Sequence, residues 1–264
     1  MMEIAGRQVL ASEPARATHA PVLFVHGFSA DARVFEAWLP FFAARGFPAY
    51  AVHLRGRGPH ANGVDLGRVS VQDFVADAEA VARALGRPAV VGHSQGGLIA
   101  QKLAEHDAVA AAALIAPAPP RGISIASRRL LAKQLKYLPA ILGSRVITPS
   151  DDDVRDLSLN RVPLAEQRRL LDRTVPDSGR AARELSLGVP VDASRVRCPL
   201  LVLVGDDDHF IPKRIVERVA ARYVAPLQTM VGHGHMIPVE PGWETAADVI
   251  ARWLSSLSLG HGQP

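Results

Sequence analysis

The stretch AVVGHSQGG, residues 89–97, decides the fold class that this 264-residue sequence predicts. It begins with a short apolar run, and Gly92, Ser94 and Gly96 then form a Gly-x-Ser-x-Gly pattern. Apolar residues recur at helical spacing from there as far as His106. Small residues two positions before and after a serine allow a buried strand to turn sharply into a helix. The pattern therefore predicts a strand, a tight turn with Ser94 at its tip, and a helix.

Apolar runs of strand length alternate with helical patterns on both sides of this turn. The predicted strands are Pro21–His26, Ala49–Leu54, Ala89–Gly92, Val109–Ala116, Leu200–Gly205 and Leu227–Val231. The predicted helices are Asp31–Arg45, Ser70–Leu85, Gly96–His106, Pro212–Tyr223 and Trp243–Leu257. Near-continuous apolar strands that alternate with helices are typical of a parallel sheet buried on both faces. The sequence therefore predicts an α/β fold with a mostly parallel central sheet and helices on both faces.

Residues 119–188 interrupt this alternation, because they contain no convincing strand. They predict helices at Ser127–Leu142, Asp151–Leu159, Leu164–Thr174 and Ser178–Leu187. An insertion at the carboxyl end of a strand lies over the ligand crevice of an open α/β sheet. We therefore expect a core domain of residues 1–118 and 189–264, with residues 119–188 as a helical cap over its site.

Acidic and histidine-containing loops follow the last two predicted strands. Three aspartates, Asp206–Asp208, come directly after one strand, and His233 and His235 follow the next. A serine hydroxyl is a poor nucleophile without a neighbouring base. The chain order serine, aspartate, histidine is one of the known orders of a catalytic triad. Because carboxyl ends of parallel strands meet at one edge, we expect Ser94 to lie near both loops. These patterns alone leave open which aspartate and which histidine would serve.

Five segments together resemble the α/β-hydrolase superfamily over nearly the whole chain. They are Val25–Phe28, Leu54–Gly58, the turn at Ser94, Gly205–Pro212 and Gly234–Pro241. Within the superfamily the chain is most similar to lysophospholipases, monoacylglycerol lipases and small carboxylesterases that carry a helical cap. The resemblance implies a hydrolase fold with an inserted cap and a serine nucleophile.

The resemblance also implies a role for each matching residue. Ser94 matches the nucleophile, and His235 matches the base because a methionine and a later Glu-Pro pair follow it. Asp208 matches the acid because of its spacing from the preceding glycine and the following proline. The backbone N–H groups of Phe28 and Gln95 match the oxyanion hole. Asp206, Asp207 and His233 are then expected to be loop residues close to the site.

Three further histidines are not assigned a catalytic role. His26 is expected to shape the oxyanion loop, and His93 is expected to pack beside the site. His53 stands where relatives often carry aspartate, and the sequence offers no explanation for that change. The cluster Asp206–His209 lacks a coherent metal-ligand spacing, so we expect no metal and no cofactor.

Composition excludes several classes of protein. Hydrophobic residues make up 48% and charged residues 21%, which predicts a folded globular chain. The single cysteine, Cys198, excludes a disulfide scaffold. No apolar run reaches the roughly 18 residues that span a bilayer, and Met1–Leu10 lacks the apolar centre of a signal peptide. We therefore expect a soluble cytoplasmic protein with a frayed tail at Ser258–Pro264.

Charge is unevenly distributed along the chain. The net charge is +4, and residues 119–188 alone carry 13 basic and 8 acidic side chains. Stacking aromatics and known nucleic-acid motifs are missing, so we expect no nucleic-acid partner. We attribute the excess of basic side chains in residues 119–188 to amphipathic helices whose arginine faces are solvated. The oligomeric state stays open.

These observations predict a serine hydrolase that cleaves carboxylic esters with a Ser94, His235 and Asp208 triad. Residues 119–188 are rich in aliphatic side chains, with Tyr137 as their only aromatic, which favours short to medium acyl chains. Their basic side chains leave open an anionic group on the substrate. Alternative reactions on the same fold are thioester, amide or C–C bond hydrolysis, hydroxynitrile cleavage and perhydrolysis. A different alternative is a non-catalytic ligand-binding protein, which the intact triad argues against.

Overall fold

A computed structural model describes residues 1–58, 63–125 and 128–257 of the chain. The strands are β1 (Met2–Ile4), β2 (Arg7–Ser12), β3 (Val22–Val25), β4 (Ala49–Val52), β5 (Ala89–His93), β6 (Ala111–Ile115), β7 (Val146–Ile147), β8 (Asp177–Ser178), β9 (Leu200–Gly205) and β10 (Leu227–Met230). Eight of them form a central sheet in the order β1-β2-β4-β3-β5-β6-β9-β10. From β4 to β10 all pairs in this sheet are parallel, and β1 and β2 add an antiparallel edge.

Helices cover both faces of this sheet. The α-helices within the described residues are α1 (Trp38–Ala43), α2 (Val71–Ala84), α3 (Gln95–Glu105), α4 (Arg128–Gln134), α5 (Leu138–Leu142), α6 (Asp151–Leu157), α7 (Leu164–Leu171), α8 (Gly179–Leu187), α9 (Lys213–Tyr223) and α10 (Trp243–Ser256). The core on one face contains residues of α2, α3 and α9, and the core on the other contains residues of α1 and α10. The predicted fold class is therefore confirmed.

Strand β3 shows why its sequence is apolar throughout. Leu23 and Val25 pack into the core with α2, α3 and α9, whereas Val22 and Phe24 pack into the core with α1 and α10. Side chains of a strand alternate between the two faces of a sheet. A strand with helices on both faces must therefore be apolar at every position.

The N-terminal hairpin of β1 and β2 was not predicted. Its two strands are joined by Ala5 and Gly6, which both have positive φ, as the tight turns of hairpins require. In β2 only Val9 is fully buried, and the neighbouring residues are partly exposed. An edge strand of this kind lacks the continuous apolar run on which the prediction depended.

Prolines divide two of the predicted helices. Asp31–Arg45 is a short 3₁₀ turn at Ala32–Phe35 followed by α1, so that Pro40 falls within the first turn of a helix. Proline is tolerated there because its missing N–H would be unpaired in any case. Pro139 likewise lies in the first turn of α5, after α4 and a 3₁₀ turn. The predicted start at Ser127 and the predicted tail at 258–264 lie outside the described residues.

Residues 119–188 contribute helices α4 to α8 between β6 and β9. The prediction of no strand there was wrong, because Val146–Ile147 pairs with Asp177–Ser178 in an antiparallel ladder. Each of these strands has two residues, which is too short to produce a periodic signal in the sequence. Throughout this article "the insertion" denotes residues 119–188. In the part of the chain that the structure describes, no helix is long and apolar enough to cross a membrane.

Candidate active site

Ser94 occupies the turn between β5 and α3, with φ of 55° and ψ of −117°. This positive φ is strained for a residue with a side chain. A Cβ atom added to Gly92 would lie 2.2 Å from the carbonyl oxygen of Gly96. A Cβ atom added to Gly96 would lie 2.1 Å from the carbonyl oxygen of Val25. Both glycines are therefore needed to hold Ser94 in this conformation.

Replacing Gly96 by alanine is expected to lower the free energy of unfolding by about 3 kcal/mol, because the new methyl group overlaps backbone that cannot move aside. Gly86 is a matched control, since its φ is +72° and the space around it is open. Gly86→Ala should cost only the left-handed backbone term of about 1–2 kcal/mol. Urea unfolding of both variants measures the difference. Equal losses would mean that the turn adapts to a side chain.

Three side chains form a continuous hydrogen-bonded chain at the carboxyl edge of the sheet. His235 Nε2 lies 3.1 Å from Ser94 Oγ, and His235 Nδ1 lies 2.8 Å from Asp208 Oδ2. All three residues are more than nine-tenths buried. A carboxylate only accepts hydrogen bonds, so Nδ1–H donates to Asp208 and Nε2 faces the serine hydroxyl as an acceptor. This arrangement can remove a proton from Ser94.

Backbone amides fix the carboxylate of Asp208. Its Oδ1 accepts hydrogen bonds from the N–H groups of Phe210 at 2.8 Å and Ile211 at 2.7 Å. The other oxygen remains directed at His235. The ring of Phe210 also stacks on the imidazole of His235, with centroids 4.9 Å apart. The loop after β9 therefore orients both members of the acid–base pair.

The neighbouring aspartates hold loops together instead. Asp206 Oδ1 accepts a hydrogen bond from the N–H of Gly232 at 2.8 Å. Asp207 Oδ2 accepts from Asn160 at 3.1 Å and from Arg161 at 2.7 Å, and both donors belong to the insertion. Asp206 therefore joins the two site loops, and Asp207 joins the core to the insertion.

His233 is engaged by a buried glutamate. Its Nδ1 lies 3.0 Å from Glu240 Oε2, which also accepts from the N–H of Gly234 at 2.9 Å. The other oxygen of Glu240 accepts from the N–H of Met236 at 3.0 Å. Glu240 thus braces the loop on both sides of His235. The structure brings His235, and not His233, to Ser94.

The two predicted oxyanion donors lie beside Ser94. Phe28 follows β3, and Gln95 is the first residue of α3, where free N–H groups and the helix dipole favour an anion. Among the residues that the structure describes, no protein group accepts a hydrogen bond from either of these backbone N–H groups. Both residues line the cavity space that Ser94 also lines. They can therefore donate to an oxyanion formed at this serine.

A buried ion pair holds the residue next to Phe28. Asp177 of the insertion accepts a hydrogen bond from the N–H of Ser29 at 2.6 Å. Its other oxygen lies 2.5 Å from the guanidinium of Arg57, and both side chains are almost fully buried. Ser29 has a φ of 54°, so this loop needs support from outside. No local sequence pattern marks the contact between Asp177 and Arg57, because the two residues lie 120 positions apart.

Two buried histidines beside the site are neutral. Burial, followed by the electrostatic interaction with nearby His235, lowers the pKa of His93 to about 3. Its Nε2–H donates to the carbonyl of His235 at 2.9 Å. Burial, followed by Arg57, lowers the pKa of His26 to about 3. His26 donates from Nδ1 to the carbonyl of Gly27 and accepts at Nε2 from the N–H of Leu54, and it thereby joins the loop after β3 to the loop after β4.

His53 is buried and does not line the cavity at Ser94. A Cβ atom added to Gly58 would lie 2.8 Å from His53 Nδ1, so the imidazole packs closely under that glycine. Burial lowers its pKa as well. The ring supports the loop that carries Arg57. Nothing in the structure explains why histidine in particular stands at this position.

A cavity of about 170 Å³ lies between the core and the insertion and reaches the triad. The core contributes Ser94, His235 and the loop Phe28–Val34, and the insertion contributes residues of α4 to α8. About half of the insertion side chains that line it are aliphatic, as Leu130, Ile147 and Leu170 are. Within the described residues no group of three or more histidine, cysteine, aspartate or glutamate side chains is arranged to hold a metal ion. The site is therefore a largely apolar cavity, and Ser94 and His235 form part of its wall.

Comparison with known proteins places this arrangement in a family. The Alpha/beta hydrolase family model matches residues 22–252. A thermostable monoacylglycerol lipase from Bacillus sp. strain H-257 is 28% identical over 208 residues, which are 76% of this chain and 76% of the lipase. A pyrethroid hydrolase from Sphingobium wenxiniae is 25% identical over 252 residues, covering 89% of this chain and 87% of that one.

A solved structure shows the same fold. The monoacylglycerol lipase of Paleococcus ferrophilus superposes with a TM-score of 0.72 at 22% sequence identity, and the match covers 94% of this chain and 99% of the lipase. The family model spans most of the chain, including all three residues of the hydrogen-bonded chain. The protein belongs to the alpha/beta hydrolase family.

Proposed function

We propose that the protein is a serine hydrolase that cleaves carboxylic esters of short to medium acyl chains through an acyl-enzyme on Ser94. The observation that carries the proposal is the hydrogen-bonded chain from Ser94 Oγ through His235 to Asp208. Relatives named a monoacylglycerol lipase and a pyrethroid hydrolase support ester hydrolysis as the reaction. The aliphatic lining of the cavity supports an apolar substrate.

In this mechanism His235 takes the proton of Ser94 as the serine oxygen attacks the ester carbonyl. Asp208 holds the imidazole in the required tautomer and stabilises the imidazolium. The N–H groups of Phe28 and Gln95 bind the oxyanion, and each such donor contributes on the order of 3 kcal/mol to transition-state stabilisation. His235 returns the proton to the leaving alcohol, and water then hydrolyses the acyl-enzyme by the same steps.

The insertion acts as a cap in this proposal. It supplies most of the wall of the cavity opposite Ser94, which keeps the apolar part of an ester out of water. Asp207 with Asn160 and Arg161 ties it to the loop that carries the acid. Asp177 ties it to the loop that carries the oxyanion donor Phe28.

Two measurements on the unaltered protein test the proposal together. Hydrolysis of p-nitrophenyl esters from acetate to palmitate should show an optimum at short or medium chain length. A fluorophosphonate probe should label the protein once, and peptide mapping should locate the label on Ser94. If the probe labels Ser94 but no ester is hydrolysed, the proposed reaction is wrong, and thioester, amide or C–C bond cleavage becomes the reaction to test. Absence of both would indicate a binding protein.

A further inference from the structure

Two chambers meet at Ser94. The large chamber is the cavity of about 170 Å³, which contacts His235 and Val239 and extends along the loop Ser29–Val34. The small chamber has a volume of about 80 Å³ and contacts neither histidine of the site. Side chains that line the small chamber alone include Ala118, Pro119, Ile125, Leu185 and Ile211. The two halves of a substrate bound at Ser94 would therefore enter spaces of different size.

The direction of proton transfer determines which chamber the alcohol part of an ester enters and which chamber the acyl part enters. The leaving alcohol oxygen must receive its proton from Nε2 of His235, so the alcohol lies on the histidine side. The acyl group is attached to the same carbonyl carbon and points away from the leaving oxygen. The small chamber is lined by Gln95 and by neither His93 nor His235, so we assign it to that other side. The alcohol therefore occupies the large chamber and the acyl group the small one.

The volumes then limit the two groups. An apolar protein cavity of about 150 Å³ holds a benzene ring. By proportion the large chamber accommodates a group at least as large as a phenyl ring, and the small chamber accommodates roughly three carbon atoms beyond the carbonyl.

Charges in the large chamber favour an uncharged alcohol. Arg33 donates from Nε to both oxygens of Asp31 at 2.9 and 3.0 Å. Arg173 pairs with Glu36 at 3.0 Å. Lys133 pairs with a carboxylate oxygen of an aspartate on α6 at 3.3 Å. Each of these cations is already neutralised, so an anionic substrate group would gain little from them.

We propose that the preferred substrates are esters of acids with about two to four carbons and bulky, uncharged, mainly apolar alcohols. This inference rests on the ester hydrolysis proposed above and narrows it. It predicts that kcat/KM falls once the acid exceeds about four carbons, whereas bulky alcohols are accepted. Discrimination arises because side chains of the loop after β6, of α8 and of the loop before α9 limit the small chamber.

A pair of isomeric esters tests the assignment. 2-Phenylethyl acetate and methyl 3-phenylpropanoate contain the same atoms with the ester bond reversed. The expected kcat/KM is at least about tenfold higher for the acetate, since one methylene group too many in a filled pocket costs about 10–200-fold. p-Nitrophenyl acetate serves as a substrate that both chambers accept.

Leu185→Ala enlarges the small chamber and provides the structural test. It should raise kcat/KM for methyl 3-phenylpropanoate by at least about tenfold and change that for 2-phenylethyl acetate by less than about threefold. Leu157→Ala is the matched control, because Leu157 lines only the large chamber. That variant should not improve hydrolysis of methyl 3-phenylpropanoate.

The outcomes separate the two proposals. If p-nitrophenyl acetate and both isomers are left intact, the proposed ester hydrolysis fails, and the chamber assignment falls with it. If p-nitrophenyl acetate is hydrolysed but the phenylpropanoate equals or exceeds the acetate isomer in the unaltered protein, ester hydrolysis stands and the chamber assignment is overturned. This comparison needs no variant, so a Leu185→Ala protein that failed to fold would not remove the test.

Discussion

Replacing Ser94 by alanine is expected to lower kcat for p-nitrophenyl acetate by on the order of 10⁵-fold, since removal of a serine nucleophile eliminates the acyl-enzyme route. Residual turnover should come from the oxyanion donors alone, because the backbone N–H groups of Phe28 and Gln95 do not depend on the serine side chain. The unfolding midpoint should change little, since the loss of one hydroxyl leaves the turn glycines in place. Initial rates above the uncatalysed background and a urea titration measure both quantities.

Two controls make the Ser94 result specific. Ser256→Ala changes an exposed serine of α10 far along the chain from the site, and it should leave kcat unchanged. Fluorophosphonate labelling should disappear in Ser94→Ala and persist in Ser256→Ala. If Ser94→Ala retained more than about a tenth of the activity, another nucleophile or a non-covalent route would have to be sought.

Asp177→Asn is expected to produce the largest loss of stability among single changes around the site. It leaves the guanidinium of Arg57 buried without a countercharge, and breaking a buried pair from one side costs about 3–5 kcal/mol. The pair is well suited to this effect, because both side chains have almost no exposed surface. Urea unfolding gives the change in free energy. Glu36→Gln is the control, since it breaks a partly exposed pair with Arg173 that should be worth less than about 1 kcal/mol.

Double variants separate the stability of this pair from its effect on the oxyanion loop. Arg57→Met/Asp177→Asn removes both charges, should recover most of the stability, and keeps a side-chain carbonyl that can accept from Ser29. Arg57→Met/Asp177→Leu should be similarly stable but has no acceptor. Its kcat is expected to be about 10²-fold lower with KM little changed, which is the usual cost of misplacing one oxyanion donor. Equal kcat in the two double variants would assign Asp177 a purely structural role.

Much of the core could be predicted because its strands are apolar at every position. Helices cover both faces of β3, β5 and β6, so each residue of these strands is buried, and the sequence shows this directly. The turn at Ser94 was predictable for a related reason. The turn has no space for a side chain at Gly92 or Gly96. This requirement fixes the spacing of the two glycines from Ser94, and the spacing can be read from the sequence without knowledge of distant contacts.

The features that escaped prediction depend on contacts between distant segments. The edge strand β2 is partly exposed, and its pairing with β4 is visible only once the sheet exists. The ion pair of Arg57 and Asp177 joins the core to a two-residue strand of the insertion. The division of the site into two chambers depends on where α4 and α8 lie relative to Ser94. None of these follows from local spacing.

The two aspartates that join the insertion to the core limit how this protein can be re-engineered. Asp177 reaches from the insertion to the loop of Phe28, and Asp207 reaches from the loop of Asp208 to Asn160 and Arg161. An insertion transplanted from a relative would therefore change more than the wall of the cavity. Unless the donor segment supplied an acceptor for Ser29 and donors for Asp207, the loops that carry Phe28 and Asp208 would be loosened in the chimera. In this molecule the insertion can be exchanged only together with its contacts to these two loops.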